Sequence, residues 1–349
     1  MKIAVLTSGG VDSSVALRLL EEQDHEVTAF YLKIWLEDEL TYLNQCPWED
    51  DLTQVREVCK GAKVQLEVMS MQRAYFERVV EHCIEEVRQG RTPNPDVFCN
   101  SRIKFGLFLD QITGFDAVAS GHYAITRKVD GRTHLAATPD LVKDQTYFLA
   151  NLPSHKLDNI LFPIGHLHKH QVRSLAQEFN LPNKDRKDSQ GICFLGKFKY
   201  RDFLKHYLGT RSGHLVEQET GKIVGSHDGF WFYTPGQRSG IGLSGGPWYV
   251  VGKNHIENTV FISKNYYADD HKRDKFAISG CNWFAGKPPS QSNLEVKLRH
   301  GPNRHKCHLM ARGDGWFDVI LESQDQGIAV GQFAVFYDGD LCLGCGVIT

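Results

Sequence analysis

The stretch that most constrains this chain is Ser8-Gly9-Gly10-Val11-Asp12-Ser13-Ser14, reached after only seven residues. Ahead of it, Lys2–Leu6 is a short run of β-formers and reads as a buried parallel strand. Behind it, Val15–Leu20 reads as the first turns of a helix, with Asp12, Ser13 or Ser14 in place to cap it. Two glycines in the bend let backbone approach a ligand with no Cβ in the way. The free N–H groups of a helix start, with the dipole behind them, favour an oxyanion such as phosphate. The pattern lacks the lysine of a Walker loop. It therefore suits an enzyme that grips pyrophosphate while the α-phosphorus is attacked. The bland alternative is a tight turn between any strand and any helix.

The six residues Ser8–Ser13 resemble the pyrophosphate loop of the N-type ATP pyrophosphatases, which make adenylated intermediates. That resemblance names a superfamily and leaves the substrate open. A length of 349 residues allows two or three domains. No run approaches the ~18 apolar residues that span a membrane, and a core strand starting at Lys2 leads us to expect no signal or transit peptide. The net charge of −2 gives no global attraction to nucleic acid, so any RNA contact must come from local basic patches. Nine cysteines, an odd number, argue for reduced thiols in a cytoplasmic protein.

The first third alternates strand and helix. Glu26–Trp35, Lys63–Met69 and Asp116–Ser120 read as strands, and Asp50–Lys60 and Gln72–Gly90 as helices. Helical patterns recur at Lys169–Asn180 and Lys199–Tyr207. Such alternation predicts a doubly wound parallel α/β sheet with its site at the C-terminal strand ends. From Gly213 onward, turn residues separate short β-rich runs such as Thr259–Ile262, Leu294–Leu298 and Phe317–Leu321. We expect a catalytic domain over residues 1–208, a small β-rich domain over 209–272 and a C-terminal β-barrel over 273–349.

Two loops carry cysteines where chemistry is plausible. Asn94-Pro95-Asp96-Val97-Phe98-Cys99-Asn100 precedes a helical run from Ile103 to Gln111, and a helix start lowers a thiol pKa. A cysteine packed beneath a loop is the equal alternative. A second polar loop, Lys187-Asp188-Ser189-Gln190-Gly191-Ile192-Cys193-Phe194, shifts that balance. Two loop cysteines in an ATP-using enzyme suggest sulfur chemistry through thiolate, persulfide and disulfide exchange.

Here the resemblance narrows. The Ser8–Ser14 loop, Asn94-Pro95-Asp96 with Cys99-Asn100, Gly121-His122-Tyr123-Ala124, Lys143–Leu149, Asp188–Phe194 and Phe336-Tyr337-Asp338-Gly339-Asp340 occur in this order. Together they resemble the tRNA-specific 2-thiouridylases, over nearly the whole chain. The resemblance implies an adenine-nucleotide α-hydrolase-like fold and conversion of a tRNA wobble uridine to 2-thiouridine. ATP with Mg²⁺ would adenylate the uracil 2-oxygen with Asp12 in the loop. A persulfide on Cys193, supplied by a donor protein, would deliver sulfur, and Cys99 would release it by forming a disulfide. Asp96 would act as general acid or base on the base, flipped into a pocket lined by Asn94, Pro95 and Asp96. Leu6, Thr7, Ser8, Gly9, Gly10, Val11, Asp12, Ser13, Leu32 and Gly121 would bind ATP. His122, Lys143, Asp144, Gln145, Arg299, His300 and Gln332 would touch tRNA.

The chain departs from the family at two points. His300 stands where an aromatic is usual, and Leu343-Gly344-Cys345-Gly346 replaces a triple glycine, creating Cys342-x-x-Cys345. With no second pair at zinc spacing, we read these as two incidental strand cysteines. The alternating His166, His168 and His170 lack ligand partners nearby and read as a solvated loop before a helix. Arg299–His308 is the densest basic stretch and suits phosphate contacts, or else a solvated hairpin. Two other classes of function stay open at this point: an amidotransferase or ligase of the same superfamily, and a non-catalytic tRNA-binding protein.

Overall fold

The protein is described by a computed structural model over residues 1–34, 47–188, 200–265, 273–325 and 327–349. Strand β1 (Lys2–Thr7) leads through the Ser8–Gly10 bend into helix α1 (Val11–Glu22). Beyond it lie β2 (Glu26–Lys33), a helix over Pro47–Ala62 and β3 (Gln65–Ser70), with β4 (Ala117–Ser120) further on. These strands and the short β7 (Ile160–Leu161) form one parallel sheet in the order β3-β2-β1-β4-β7. The order reverses beside β1, and the crevice between β1 and β4 at their C-terminal ends is where such sheets bind ligands. Ile3, Ala4 and Val5 have no exposure. α1 buries Leu17 and Leu20 with Ile3 and Val5 of the sheet, and Val11, Val15 and Ala16 with Val172 and Ala176 of the helix Lys169–Glu178, each large aliphatic side chain contributing about 1.5–3 kcal/mol.

Helix α1 starts earlier than its sequence suggests. Gly10 is the N-cap, and no side chain caps the helix. Ser13 and Ser14, expected as caps together with Asp12, sit inside the first turn and turn back to donate to the Gly10 carbonyl at 3.0 Å each. The helix expected over 72–90 is interrupted: Gln72–Tyr75 and Glu81–Arg88 flank a π-helical turn at Phe76–Val80. A second wide turn, Cys99–Leu107, lies between Pro95–Phe98 and Phe108–Gln111. A π turn adds a residue without changing composition, so periodicity does not reveal it.

The β-rich remainder contains two sheets. β8 (Gly213–Glu217), β9 (Ile223–His227), β10 (Tyr249–Asn254) and β11 (Thr259–Ser263) pair in the order β10-β11-β8-β9, with β8 and β11 parallel. The last six strands are β12 (Arg273–Trp283), β13 (Asn293–Lys297), β14 (His305–Gly313), β15 (Trp316–Asp325), β16 (Phe333–Asp338) and β17 (Leu341–Ile348). They are antiparallel, and pairing of β12 with both β15 and β17 closes them into a barrel. One hairpin crosses over from the first part of the chain. β5 (Ile125–Val129) and β6 (Arg132–Ala136) extend the barrel sheet, with Leu341 and Cys342 of β17 opposite Ala136 and Leu135. Arg127 reinforces this join by donating to both carboxylate oxygens of Asp340.

Candidate active site

The bend after β1 is held from three sides. Gly9 has φ +74°, and a Cβ there would lie 2.6 Å from the Asp51 carbonyl oxygen, so only glycine fits. Its own carbonyl accepts from Asn183 Nδ2 at 2.9 Å and from Arg186 at 3.0 Å. Arg186 also pairs with Asp51 on the Pro47–Ala62 helix. Gly121, directly after β4, is as tightly placed: a Cβ there would sit 2.5 Å from the Ser13 nitrogen. The two strand ends thus meet backbone to backbone at the switch point. Leu6, Thr7, Ser8, Gly10, Val11 and Ser13 belong to this bend, with Thr7 Oγ1 donating to the Phe30 carbonyl at 3.0 Å. Leu32 lies further along β2.

Asp12 is not an isolated carboxylate. Tyr123 OH donates to its Oδ1 at 2.9 Å and Lys169 Nζ at 2.7 Å. The loop has no lysine of its own, yet an ammonium from the helix Lys169–Glu178 stands against its first helical turn. The same ammonium lies 2.8 Å from Asp188. Asp188 also accepts from Lys143 at 2.7 Å and Arg173 at 2.7 Å. Burial would raise its pKa, but Lys143 and Lys169 outweigh that and hold it at about 2.

Residues 92–100 sit between the parallel-sheet domain and the barrel. Asn94 caps Pro95–Phe98 by accepting from the Val97 N–H at 3.3 Å, and Pro95 is buried at the first helical position. Gln332 of the barrel donates to the Thr92 carbonyl at 2.9 Å and accepts from Tyr147 OH at 3.3 Å. Cys99 is fully buried, one turn into the helix. Here the expectation of a lowered thiol pKa is corrected: burial pushes it up to about 11, with Lys104 pulling weakly the other way. His122 takes Ser120 Oγ at 2.9 Å, and burial drives its pKa well below the usual value.

The expected RNA-facing group Lys143-Asp144-Gln145 is engaged internally. Gln145 accepts from the Tyr123 N–H at 2.9 Å. Asp144 is turned inward, with no exposure of its side chain. It accepts from the equally buried Lys297 of β13 at 2.6 Å and from Thr146 Oγ1, which also meets Tyr337 OH at 2.9 Å. Arg299 is well exposed and pairs with Asp325, which also faces His305 at 3.2 Å. His300 stacks on Phe148 with ring centroids 4.7 Å apart, and burial, then Lys297, lowers its pKa. Cys342 and Cys345 are both buried in β17, and burial pushes the Cys342 thiol up to about 12. His168 is the N-cap of its helix and stacks on His170. Cys193 lies outside the described residues.

Three family models match the chain in succession: a tRNA methyl transferase HUP domain over residues 1–197, a tRNA methyl transferase PRC-barrel domain over 201–264, and an aminomethyltransferase β-barrel domain over 273–348. The tRNA-specific 2-thiouridylase MnmA of Parabacteroides distasonis is 43% identical across 100% of this chain and 99% of its own length. The chain belongs to the tRNA-specific 2-thiouridylase family. Another relative, tRNA-specific 2-thiouridylase MnmA 1 of Bacteroides thetaiotaomicron, is 44% identical over 100% of both chains. Two solved structures are similar over 60% of this chain. They are NMN synthetase from Francisella tularensis (17% identity, 77% of that chain, TM-score 0.33) and a 4-thiouridine synthetase–RNA complex with bound ATP (13%, 50%, 0.35). Both likenesses are too slight to weigh. The activity of the family, 2-thiolation of uridine in tRNA, is that of this chain.

The thiouridylase framework explains which residues the sequence left out. Lys169, Arg173, Asn183, Arg186 and Lys297 carry no motif of their own, and only the fold brings them to Asp12, Asp188, Gly9 and Asp144. One signal was present. Lys169 and Arg173 are four apart on a helix, so they project from one face.

Proposed function

We propose that the enzyme activates the wobble uridine by ATP-dependent adenylation and thiolates it with sulfur carried on Cys193. The observation that carries this reading is the pyrophosphate loop at the β1–β4 switch point, with Asp12 fixed by Tyr123 and Lys169. The uracil 2-oxygen attacks the α-phosphorus and pyrophosphate leaves. Among the described residues no group of three or more metal-ligating side chains occurs. Mg²⁺ would be held by the phosphates with Asp12 beside them, as it commonly is by substrate phosphates and one or two carboxylates, and it would neutralise charge on the leaving group.

The remaining steps follow the family. The outer sulfur of the Cys193 persulfide bonds to the ring carbon and AMP leaves. The Cys99 thiolate then attacks Cys193 Sγ, breaking the persulfide S–S bond, so that the outer sulfur stays on the uridine and a Cys99–Cys193 disulfide remains for a reductant to reopen. Asp96 moves a proton on the base, with Asn94 and Pro95 at its pocket. Leu6–Ser13, Leu32 and Gly121 hold the nucleotide, and His122, Lys143, Gln145, Arg299, His300 and Gln332 meet tRNA. The persulfide comes from a donor protein, and the setting is the cytoplasm. No helix among the described residues is long and apolar enough to cross a membrane. Boundaries near residues 208 and 272 separate the three domains.

Cys193→Ser tests the reading. It should make no 2-thiouridine under any reductant while still binding ATP and tRNA, because serine keeps the shape and loses the sulfur. Peptide mapping of wild type after one turnover without reductant should find a Cys99–Cys193 disulfide, which needs Cα atoms within ~7 Å. A crosslink elsewhere, or thiolation by the serine variant, would sink the mechanism.

A further inference from the structure

Gly9 and Gly10 share one peptide unit, and its two polar groups are held very differently. The Gly9 carbonyl accepts from Asn183 Nδ2 at 2.9 Å and from Arg186 at 3.0 Å. The Gly10 N–H meets Ser8 Oγ at a long 3.4 Å, in an exposed position. A planar trans peptide points its C=O and N–H in opposite directions. Two donors on the carbonyl therefore also fix the direction of the Gly10 N–H, away from the turn that carries Asn183 and Arg186. Neither glycine has a Cβ to enforce that choice. Gly9 stands at φ +74° and Gly10 at φ −81°. A flip of the shared peptide would carry Gly10 to positive φ, which glycine enters freely.

The turn that supplies the donors is itself held in place. The Lys184 N–H donates to the Leu181 carbonyl at 3.2 Å and the Arg186 N–H to the Asn183 carbonyl at 2.9 Å. Leu181 is buried with Val11 and Val15 of α1. Arg173 donates to the Lys184 and Arg186 carbonyls at 2.9 and 2.6 Å, and Arg186 is pinned at its tip by Asp51. Asn183 is 2% exposed, and its amide nitrogen also donates to Ser14 Oγ at 2.9 Å. Turning that amide over would set Oδ1 against the Gly9 carbonyl oxygen, so the hydrogen-bond network assigns its orientation. Among the described residues Oδ1 has no partner. What Asn183 contributes comes from its donor end.

We propose that Asn183 and Arg186 are positioning residues for the pyrophosphate of ATP. They set the Gly9–Gly10 peptide so that the Gly10 N–H faces the leaving phosphates, beside the uncapped N–H groups at the start of α1. This rests on the nucleotide reading above and adds which side chains hold the loop in its binding form. The N–H is aimed before the ligand arrives, so no reorganisation is needed as charge develops on the leaving group. Neither side chain touches the nucleotide in this role, and both act through the peptide.

The test is calorimetric titration of the full-length enzyme with ATP, inorganic pyrophosphate and AMP, each with Mg²⁺, on variants shown by thermal melting to be folded. Asn183→Leu removes both donors at similar volume and changes no charge, and Asn183→Ala serves in its place where leucine is not accommodated. Arg186→Met removes the guanidinium. Each should weaken pyrophosphate and ATP about tenfold, the worth of one hydrogen bond to a charged group. AMP affinity should hold, because AMP lacks the phosphates this N–H serves. Arg186→Lys keeps a donor for the carbonyl and should recover most of the loss. Wild-type pyrophosphate affinity in a folded Asn183 variant or in Arg186→Met overturns the role of that residue. Equal losses of AMP and pyrophosphate affinity overturn the proposal, since they mark damage to the whole site, and so does an Arg186→Lys enzyme no better than Arg186→Met. A wild type that binds neither pyrophosphate nor ATP instead defeats the nucleotide reading itself.

Discussion

Asp144 and Asp188 both accept from lysines, at 2.6 Å from Lys297 and 2.7 Å from Lys143, yet the two pairs are built for different work. The Asp144–Lys297 pair has essentially no exposure and joins the parallel-sheet domain to the barrel, with Thr146 and Tyr337 closing the network. Asp188 is about one-third exposed and answers to three cations at once. A buried pair has one arrangement, since any other leaves a charge in a low-dielectric interior. A partly wet cluster with one carboxylate among three cations has several arrangements of similar energy. The first pair ties the two domains together, and the second can exchange partners within its cluster.

The largest expected effect comes from breaking the buried pair. Asp144→Asn leaves the Lys297 ammonium buried without a counter-charge and should cost about 3–5 kcal/mol in urea unfolding. Asp144→Leu combined with Lys297→Met should restore most of that stability, because it removes both charges rather than one. If Asp144→Asn is neutral while tRNA affinity collapses, the carboxylate faces RNA after all and the docking role is wrong.

A smaller effect tests the Asp188 cluster by pH. Asp188 titrates at about 2 in the folded protein against an ordinary value of 3.8, so its contribution is present above pH 4 and lost as pH falls toward 2. At neutral pH, Asp188→Asn should cost no more than about 1 kcal/mol, since the group is partly solvated. The difference between wild type and Asp188→Asn should shrink as pH is lowered from 4 to 2. A difference that stays constant across that window would mean the carboxylate is not what the variant removes.

The sequence made the α/β sheet and its site legible because β1, the glycine bend and α1 are adjacent in the chain, and local pattern suffices there. Gly121 was recognised only through resemblance, and its reason is now physical: its missing Cβ is where the Ser13 backbone sits. Ion pairs spanning large sequence separations, such as Lys169 to Asp12 or Lys297 to Asp144, leave no periodic trace. The burial of Cys99 was hidden for a similar reason. A cysteine near a helix start is reactive or inert according to what covers it, and here the thiol is sealed in the core. Asp144 shows the converse hazard, in which a residue inside a polar motif, Lys143-Asp144-Gln145, has its side chain buried.

The smallest effect concerns how much each basic residue contributes to RNA binding. A cation that meets phosphate releases counterions, and removing it should flatten the salt dependence of tRNA affinity by about one log unit per log unit of salt. Lys143 is already bonded to Asp188 and Arg299 to Asp325. A phosphate must displace those carboxylates or share their cations, so part of the counterion release has already taken place within the protein. Lys143→Gln and Arg299→Gln should therefore each lower the slope by less than one unit while raising the apparent KM for tRNA. Asp325→Asn should steepen the slope slightly, because it frees Arg299. Filter-binding titrations from low to moderate salt would measure all three. A full-unit loss in Lys143→Gln would show that RNA takes Lys143 away from Asp188 completely, and no change in either glutamine variant would remove both residues from the interface.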